Sequence, residues 1–317
     1  MSRGVAITGM GIISAIGNNV EENYESLLEG KTGISRVSKI KTIHRDDIMV
    51  GEISFTNQEL EHQLGLSSDN NYSRAALLGS IAAKQAIVNA GISNINKYKT
   101  GLISSNSVGG MDMTEAHFYD YFKNEAIQKY INGHHSGDSS QKIAEQLGLE
   151  KSFVTTISTA CSSSANAIML GARLIKSGQL DRVIVGGVDC LTKFTINGFK
   201  SLMILSDTFN SPFDEDRKGL NLGEAAAFLV LESDKVLQAK NKPVLGYVKG
   251  YANTNDAYHQ TASSDNGDGA TLAMEKALKV AQLSSKDITY INAHGTATIN
   301  NDLSEGRAIL RVFGNDV

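Results

Sequence analysis

The chain has 317 residues, 41% of them hydrophobic, and a formal net charge of −4 with acidic and basic residues interspersed. This length suits one large domain or two ordinary ones with a packed core, and the charge argues against a nucleic-acid-binding face, which would be basic. No apolar run approaches the roughly 20 residues that cross a bilayer and the N-terminus has no signal-peptide pattern, so we expect a cytoplasmic protein that binds neither membranes nor nucleic acids.

The first predicted element is a strand that starts at Val5 and leads into a glycine-containing turn, residues 9–14. A dinucleotide-binding turn would carry a third glycine where Ser14 stands, and a strand ending in an acidic residue would follow the helix predicted at 21–28. Neither feature is present, so we expect no nucleotide cofactor here. The glycines are better explained by close backbone packing.

Helical periodicity is clearest between Tyr72 and Ala90, with Ser73 as the candidate cap and Gly91 as the stop. A similar pattern marks residues 270–281, and residues 112–139 are predicted to be an excursion from the main fold. Between the helices lie short apolar runs that predict strands buried on both faces, at residues 101–103, 183–185, 225–231 and 244–248. The alternation predicts an α/β fold.

Cys161 lies between an apolar run that ends at Ile157 and a helix predicted to be buried on nearly every face through Lys176, with Gly178 as its stop. A thiol at that junction faces the positive end of the helix dipole, which favours a nucleophilic thiolate. Inert packing of a small residue explains the junction equally well on its own, and it is our interpretation of Cys190. Two cysteines give no disulfide framework, and the adjacent His134 and His135 lack zinc spacing, so we expect no metal site.

His294 follows a second apolar run, residues 288–291, which predicts a histidine at a strand end, where α/β sites form. Two hydroxyl groups, of Thr296 and Thr298, come directly after it. A lone histidine is often a structural residue, but a strand-to-helix cysteine makes a Cys/His site plausible. Asp302 and Glu305 lie in the first turn of the next predicted helix, where their charges also suit the helix dipole.

Around these two motifs the chain resembles the β-ketoacyl-acyl carrier protein synthases, closest to the elongating type II condensing enzymes of thiolase fold. Further motifs in family order carry the resemblance over the whole chain, at residues 5–17, 104–110, 183–190, 211–232 and 255–261. It implies a duplicated α-β-α-β-α layered fold. The half with the nucleophilic cysteine would span residues 1–240, and the half with the histidine motif residues 241–317.

The resemblance also implies a reaction, decarboxylative Claisen condensation of an acyl-Cys161 enzyme with malonyl carrier protein, in fatty acid or polyketide chain elongation. His294 would donate to the thioester carbonyl. It further implies that Thr296, Thr298 and Thr261 bind substrate, that Val108 limits acyl depth, and that Glu305 and Asp302 support the site. Residues 214–217, a charge run, would be a structural turn at its floor.

The implied partners are an acyl carrier protein and a second copy of the chain, and no protein-bound cofactor is needed because the carrier supplies the phosphopantetheine arm. Candidate basic residues for an acidic carrier are Lys176, Arg182, Lys193 and Lys200, though solvated surface explains each as well.

Elongating synthases also use a lysine motif and a second histidine, and neither follows His294 before Val317. We therefore expect the sequence to be the greater part of a longer synthase with an incomplete second half, so the activity of this chain alone stays open. The alternative is a non-catalytic partner subunit that shapes the chain-length pocket of an active synthase, although such partners typically lack the nucleophile. A biosynthetic thiolase would need a second late cysteine. The acyl chain length and the pathway stay open.

Overall fold

A six-stranded sheet is the centre of the computed structural model, which describes residues 4–149, 152–240, 242–259 and 262–315. Its strand order is β5-β4-β6-β8-β1-β9, where β4, β5 and β6 are parallel and β8, β1 and β9 join in antiparallel fashion. A small sheet, β2-β3-β7, lies apart. The strands are β1 (Val5–Ser14), β2 (Ile34–Arg36), β3 (Met49–Gly51), β4 (Thr100–Ser105), β5 (Phe153–Ile157), β6 (Arg182–Asp189), β7 (Leu222–Gly223), β8 (Ala225–Glu232) and β9 (Gly246–Val248).

Helices cover both faces of the large sheet, as the predicted α/β class requires. The helix predicted near residues 72–90 is α3, with the Ser73 side chain accepting from the amide of Ala76. The helices are α1 (Val20–Leu28), α2 (Asn57–Leu64), α3 (Arg74–Asn89), α4 (Met111–His117), α5 (Gln128–Ile131), α6 (Ser136–Gln146), α7 (Ser163–Lys176), α8 (Lys193–Ser201), α9 (Asp234–Lys240), α10 (Asp268–Ala281) and α11 (Ile299–Phe313).

The apolar strands contribute alternate residues to two separate cores. In β6, Ile184 packs in the core that contains α3, whereas Val183 and Val185 pack in the core that contains α7. Successive strand side chains point to opposite faces, so a strand buried on both faces is apolar at every position. The continuous apolar runs therefore predicted the positions of these strands correctly. Burial on both faces holds for β4 and β6, whereas Ala225 and Ala227 of β8 and Tyr247 of β9 are exposed.

The predicted turn at residues 9–14 is wrong, because β1 continues through it to Ser14, antiparallel to β8. Its glycines allow the backbone of α3 to lie against the strand. A Cβ on Gly11 would stand 2.1 Å from the carbonyl oxygen of Ala82, and one on Gly9 would stand 2.4 Å from that of Ala86. The interpretation of these glycines as packing residues is confirmed.

Arg182 is wrong as a surface residue for a carrier protein, because its side chain is completely buried at the start of β6. Its Nε donates to Glu232 Oε1 at 2.7 Å, and Lys242 Nζ lies 3.0 Å from the other carboxylate oxygen. A buried charge needs such partners, so Arg182 belongs to the core between β6 and β8.

Two further expectations about the site's surroundings are corrected. Residues 288–291 form no strand, since they pair with no strand of either described sheet, and Tyr290 is 77% exposed. Helix α7 packs on β4 and β6 by one face only, which leaves Ala165 exposed and Met169 half-buried.

Among the described residues, no helix is long and apolar enough to span a membrane.

Candidate functional site

A tight turn presents Cys161 directly before α7. Ala160 has a φ of 51°, a left-handed conformation that is unfavourable for alanine and requires support from its surroundings. Ser163 supplies that support, because its hydroxyl donates to the carbonyl of Ala160 at 2.6 Å and accepts from the amide of Thr159 at 2.8 Å. Asn166 Nδ2 also donates to Thr159 Oγ1 at 2.8 Å. The thiol therefore has a fixed position two residues before the helix.

His294 lies on a loop that a carboxylate on α11 holds in place. Glu305 accepts from the backbone amides of His294 at 2.7 Å and Gly295 at 2.9 Å. Asp302 accepts from the amides of Ala297 at 3.1 Å and Phe213 at 2.7 Å. Both carboxylates thus fix the histidine loop, in addition to any favourable interaction with the helix dipole.

Arg217 joins the same loop to the preceding segment of the chain. Its Nη2 donates to the carbonyl of Ile299 at 2.8 Å, its Nη1 donates to that of Asp214 at 2.8 Å, and its Nε lies 3.9 Å from Asp302. The charge run at 214–217 is therefore the structural turn that we expected.

Cys161 and His294 line one open cavity of about 850 Å³, which also contains Thr296 and Thr298. The two threonine hydroxyls lie 2.8 Å apart. This arrangement brings four of the predicted site residues together although 133 positions separate the cysteine from the histidine. The rest of the wall is apolar near Phe199 and Leu220 and amide-rich elsewhere, with Asn210, Asn221, Asn300 and Asn301.

The cysteine and the histidine shift each other's protonation. A hydrogen bond from His294 lowers the pKa of Cys161 against the opposing effect of burial. The same bond raises the pKa of His294, with smaller contributions from the carboxylates of Glu305 and Asp302. Opposite shifts favour a thiolate and imidazolium pair, which is the form in which cysteine is a nucleophile. Cys190 is buried, which raises its thiol pKa well above the usual value, as suits a core residue.

Two predicted site residues do not join this group. Val108 is half-buried in the turn after β4 and is not among the described residues that line the cavity, so its role in limiting acyl depth stays a prediction. Thr261 lies outside the described residues. Within those residues, no group of three or more His, Cys, Asp or Glu side chains is arranged to hold a metal ion.

Sequence reasoning missed Asp189 and the cavity wall after β6. Asp189 ends a buried parallel strand, and its charge acts on the Cys161 thiol. The rule that we applied to His294, that side chains at strand ends form α/β sites, would have found it. Asn210 and Lys218 also line the cavity. The family motif at 211–232 contains Lys218, and no sequence signal pointed to Asn210.

Comparison with known proteins gives matches along nearly the whole chain. A family model for the β-ketoacyl synthase N-terminal domain matches residues 2–236, and one for the C-terminal domain matches residues 245–317. The predicted boundary near residue 240 falls between these ranges and stays a prediction. The chain is 32% identical to 3-oxoacyl-[acyl-carrier-protein] synthase 2 of Staphylococcus aureus (strain COL), over 98% of this chain and 77% of that protein.

Solved structures give the same result for the fold. The ishigamide ketosynthase/chain length factor superposes with a TM-score of 0.89 at 28% identity, covering 99% of this chain and 78% of that one. The ketosynthase ApeO in complex with its chain length factor ApeC, from Xenorhabdus doucetiae, gives a TM-score of 0.83 at 30% identity over 98% and 76%. These likenesses confirm the predicted thiolase-like α/β class.

Proposed function

Because the chain belongs to the β-ketoacyl synthase family, we propose that it is a condensing enzyme that joins an acyl group on Cys161 to malonyl carrier protein. The observation that supports this most is the Cys161 and His294 pair, with its opposite pKa shifts, in a cavity that also contains Thr296 and Thr298.

The first step is transfer of the acyl group to the enzyme. The Cys161 thiolate attacks the carbonyl carbon of an acyl-carrier thioester, and the backbone amide of Cys161 helps to hold the oxyanion. When the tetrahedral intermediate collapses, the bond to the carrier sulfur breaks. The carrier thiol leaves with the proton that His294 held, and a thioester on Cys161 remains.

The second step forms the new carbon–carbon bond. Malonyl carrier protein enters with its pantetheine arm against Thr296 and Thr298, and neutral His294 donates a hydrogen bond to the thioester carbonyl. Carbon dioxide leaves with cleavage of its carbon–carbon bond, and the electron pair forms an enolate. The enolate carbon attacks the acyl-Cys161 carbonyl, which releases the β-ketoacyl carrier product and restores the thiolate. His294 takes up one proton from solvent, which replaces the proton that left with the carrier thiol.

This reaction needs no cofactor of the protein's own, because the phosphopantetheine arm belongs to the carrier substrate. Acyl carrier protein is accordingly the proposed substrate partner, and a second copy of this chain is the proposed structural partner. The name of the S. aureus relative supports the first proposal. Val108 as the residue that limits acyl depth is part of the same proposal.

A second candidate function is a chain-length-determining partner of an active synthase. The similarity to structures that contain a chain length factor favours it. A subunit of that kind has no use for a nucleophile with a lowered pKa, so the Cys161 and His294 pair supports the condensing enzyme instead.

The test of the proposed function is acylation by an acyl carrier protein, followed by peptide mapping in a mass spectrometer. We expect one acyl adduct, on Cys161, and none in Cys161→Ala. The matched control is Cys190→Ala, which removes a buried thiol and should leave acylation at the wild-type level. An adduct on Cys190 of equal or greater extent would contradict the assignment, and a wild type that takes no acyl group would favour the partner role.

A further inference from the structure

Asp189 bonds to the turn that follows β4, and the strand that it ends packs against the first turn of α7. Its carboxylate accepts from the amide of Ser107 at 2.8 Å and from the hydroxyl of Ser107 at 2.9 Å. The amide of Val108 donates to it as well. One half-buried carboxylate therefore fixes the backbone at the position proposed to limit acyl depth.

The end of β6 also lies against the first turn of α7, close to Cys161. A Cβ on Gly187 would stand 2.2 Å from Ser105 Oγ and 2.3 Å from Ser164 Oγ, and these two hydroxyls are 3.0 Å apart. Such contact leaves room only for glycine, so the strand end and the turn before α7 form one packed unit. Asp189 comes two residues after Gly187 and Cys161 three residues before Ser164.

We propose that Asp189 is a positioning residue that holds the Ser107–Val108 turn, which contains the residue proposed to limit acyl depth, and that it places a negative charge at the strand end that packs against the first turn of α7, near Cys161. Its role in choosing acyl chains rests on the proposed condensing function, whereas its charge beside the thiol does not. A carboxylate near a thiolate disfavours the thiolate, so Asp189 opposes the effect of His294 on the same sulfur.

The opposite effects of His294 and Asp189 on the thiol pKa matter for both steps of the reaction. In the condensation step the Cys161 thiolate is the leaving group of its own thioester, and before that step it is the attacking nucleophile. A strongly depressed thiol pKa would weaken the nucleophile, since nucleophilicity falls with pKa. His294 and Asp189 act on the thiol pKa in opposite directions, and the same carboxylate holds the turn that contains Val108.

Two substitutions separate the roles of charge and of shape. In Asp189→Asn the side-chain carbonyl still accepts from the Ser107 amide and the NH2 group donates to the Ser107 hydroxyl, so the turn stays while the charge is lost. Asp189→Ala loses both. The measurements are the pH profile of iodoacetamide alkylation at Cys161, mapped by peptide mass, and the relative rates of acylation by short, medium and long acyl thioesters.

We expect Asp189→Asn to lower the alkylation midpoint by on the order of half a pH unit while wild-type chain preference is kept. Asp189→Ala should lower the midpoint similarly and change the preference between chain lengths by roughly ten-fold. A third variant, Ser107→Ala, keeps the carboxylate and loses one donor. It should keep the wild-type midpoint and show a smaller change of preference in the same direction, which tests the turn even if Asp189→Ala does not fold.

An unchanged or raised midpoint in Asp189→Asn would overturn the role of the charge. Wild-type preference in both Asp189→Ala and Ser107→Ala would overturn the role of the turn. If the wild type accepts no acyl thioester, the proposed function fails on its own. The alkylation profile then still decides the charge, and hydrogen exchange of the Val108 amide in Ser107→Ala, expected to be faster than in wild type, decides the turn.

Discussion

At the scale of single residues, the site depends on two backbone bends, one before Cys161 and one after His294, that hydrogen bonds from nearby side chains hold in place. Ala160 takes a left-handed φ before the thiol, and Gly295 and Ala297 take left-handed φ values of 51° and 61° after the imidazole. Each bend brings its reactive side chain to the wall of the same cavity. The chemistry of the pair then follows from its mutual hydrogen bond rather than from either residue alone.

Removing the imidazole should therefore raise the thiol pKa. His294 lowers the pKa of Cys161 by hydrogen bonding and by its charge, so in His294→Ala only the backbone hydrogen bond at Cys161 still opposes the effects of burial and Asp189. We expect the pH midpoint of Cys161 alkylation to rise from its lowered wild-type position toward that of an ordinary thiol. Acylation by an acyl carrier should slow by roughly 100-fold or more.

The matched control for this measurement is His62→Ala, on the exposed side of α2. It should leave the alkylation midpoint where it is in wild type. Equal midpoints in His294→Ala and wild type would show that the imidazole does not act on the thiol.

At the scale of elements, the sheet that carries Cys161 depends on a buried ion pair between its central strands. Arg182 at the start of β6 and Glu232 at the end of β8 are both completely buried, and the Arg182 guanidinium also lies 5.2 Å from the ring of Tyr98. Burial opposes the charge of Glu232, but the bonds from Arg182 and Lys242 outweigh it and lower the carboxyl pKa. The charge of Glu232 is therefore stable in the core only because Arg182 and Lys242 both bond to its carboxylate.

Arg182→Met should therefore lower the free energy of unfolding by about 3–5 kcal/mol, because it leaves a buried carboxylate without its main partner. Urea denaturation followed by circular dichroism measures this. The control is Lys235→Met, which breaks an exposed pair with Asp181 and should cost at most about 1 kcal/mol. Equal losses in the two variants would mean that Arg182 contributes no more than a surface lysine.

At the scale of the whole molecule, the large sheet ends in an edge strand close to the catalytic turn. β5 pairs only with β4 within the described sheet, and Phe153 at its start is 43% exposed. Unpaired strand edges are natural sites for association between chains. From the resemblance to the family we expect a homodimer whose contact lies near the same strand region, before Cys161.

A glutamate on this edge should separate the proposed homodimer. We expect wild type to sediment as a dimer at micromolar concentration and Phe153→Glu to sediment as a monomer, because burying the charge in the contact is costly. Leu27→Glu, a similarly exposed apolar position on α1, serves as the control and should stay dimeric. A monomeric wild type would refute the homodimer.

Much of this architecture could be predicted from the sequence, because the strands of the large sheet are apolar at successive positions and the glycines of β1 signal close packing. The error at residues 288–291 has a physical cause: a short apolar run predicts a strand only where a partner strand is available, and periodicity carries no information about partners. Arg182 was misjudged for a related reason, since a charged residue is buried only when distant residues such as Glu232 neutralise it.

For the site, the motifs correctly predicted that Cys161 and His294 belong together, but not what holds them. The bond from Ser163 to Ala160 and the two bonds to Glu305 depend on backbone conformations that local sequence patterns do not specify. Asp189 was missed because a continuous apolar run predicts a buried strand and carries no information about the function of the residue that ends it.

Because Glu305 lies on α11 and bonds to the histidine loop, the position of this helix determines the position of His294. His294 has no strand to hold it, so its position relative to the thiol is set by where α11 lies, and α11 in turn packs against α10 and the 213–217 turn. Because Glu305 holds the His294 loop and His294 lowers the pKa of Cys161, we expect a displacement of α11 to change the acidity of the thiol although no residue of the helix is bonded to it.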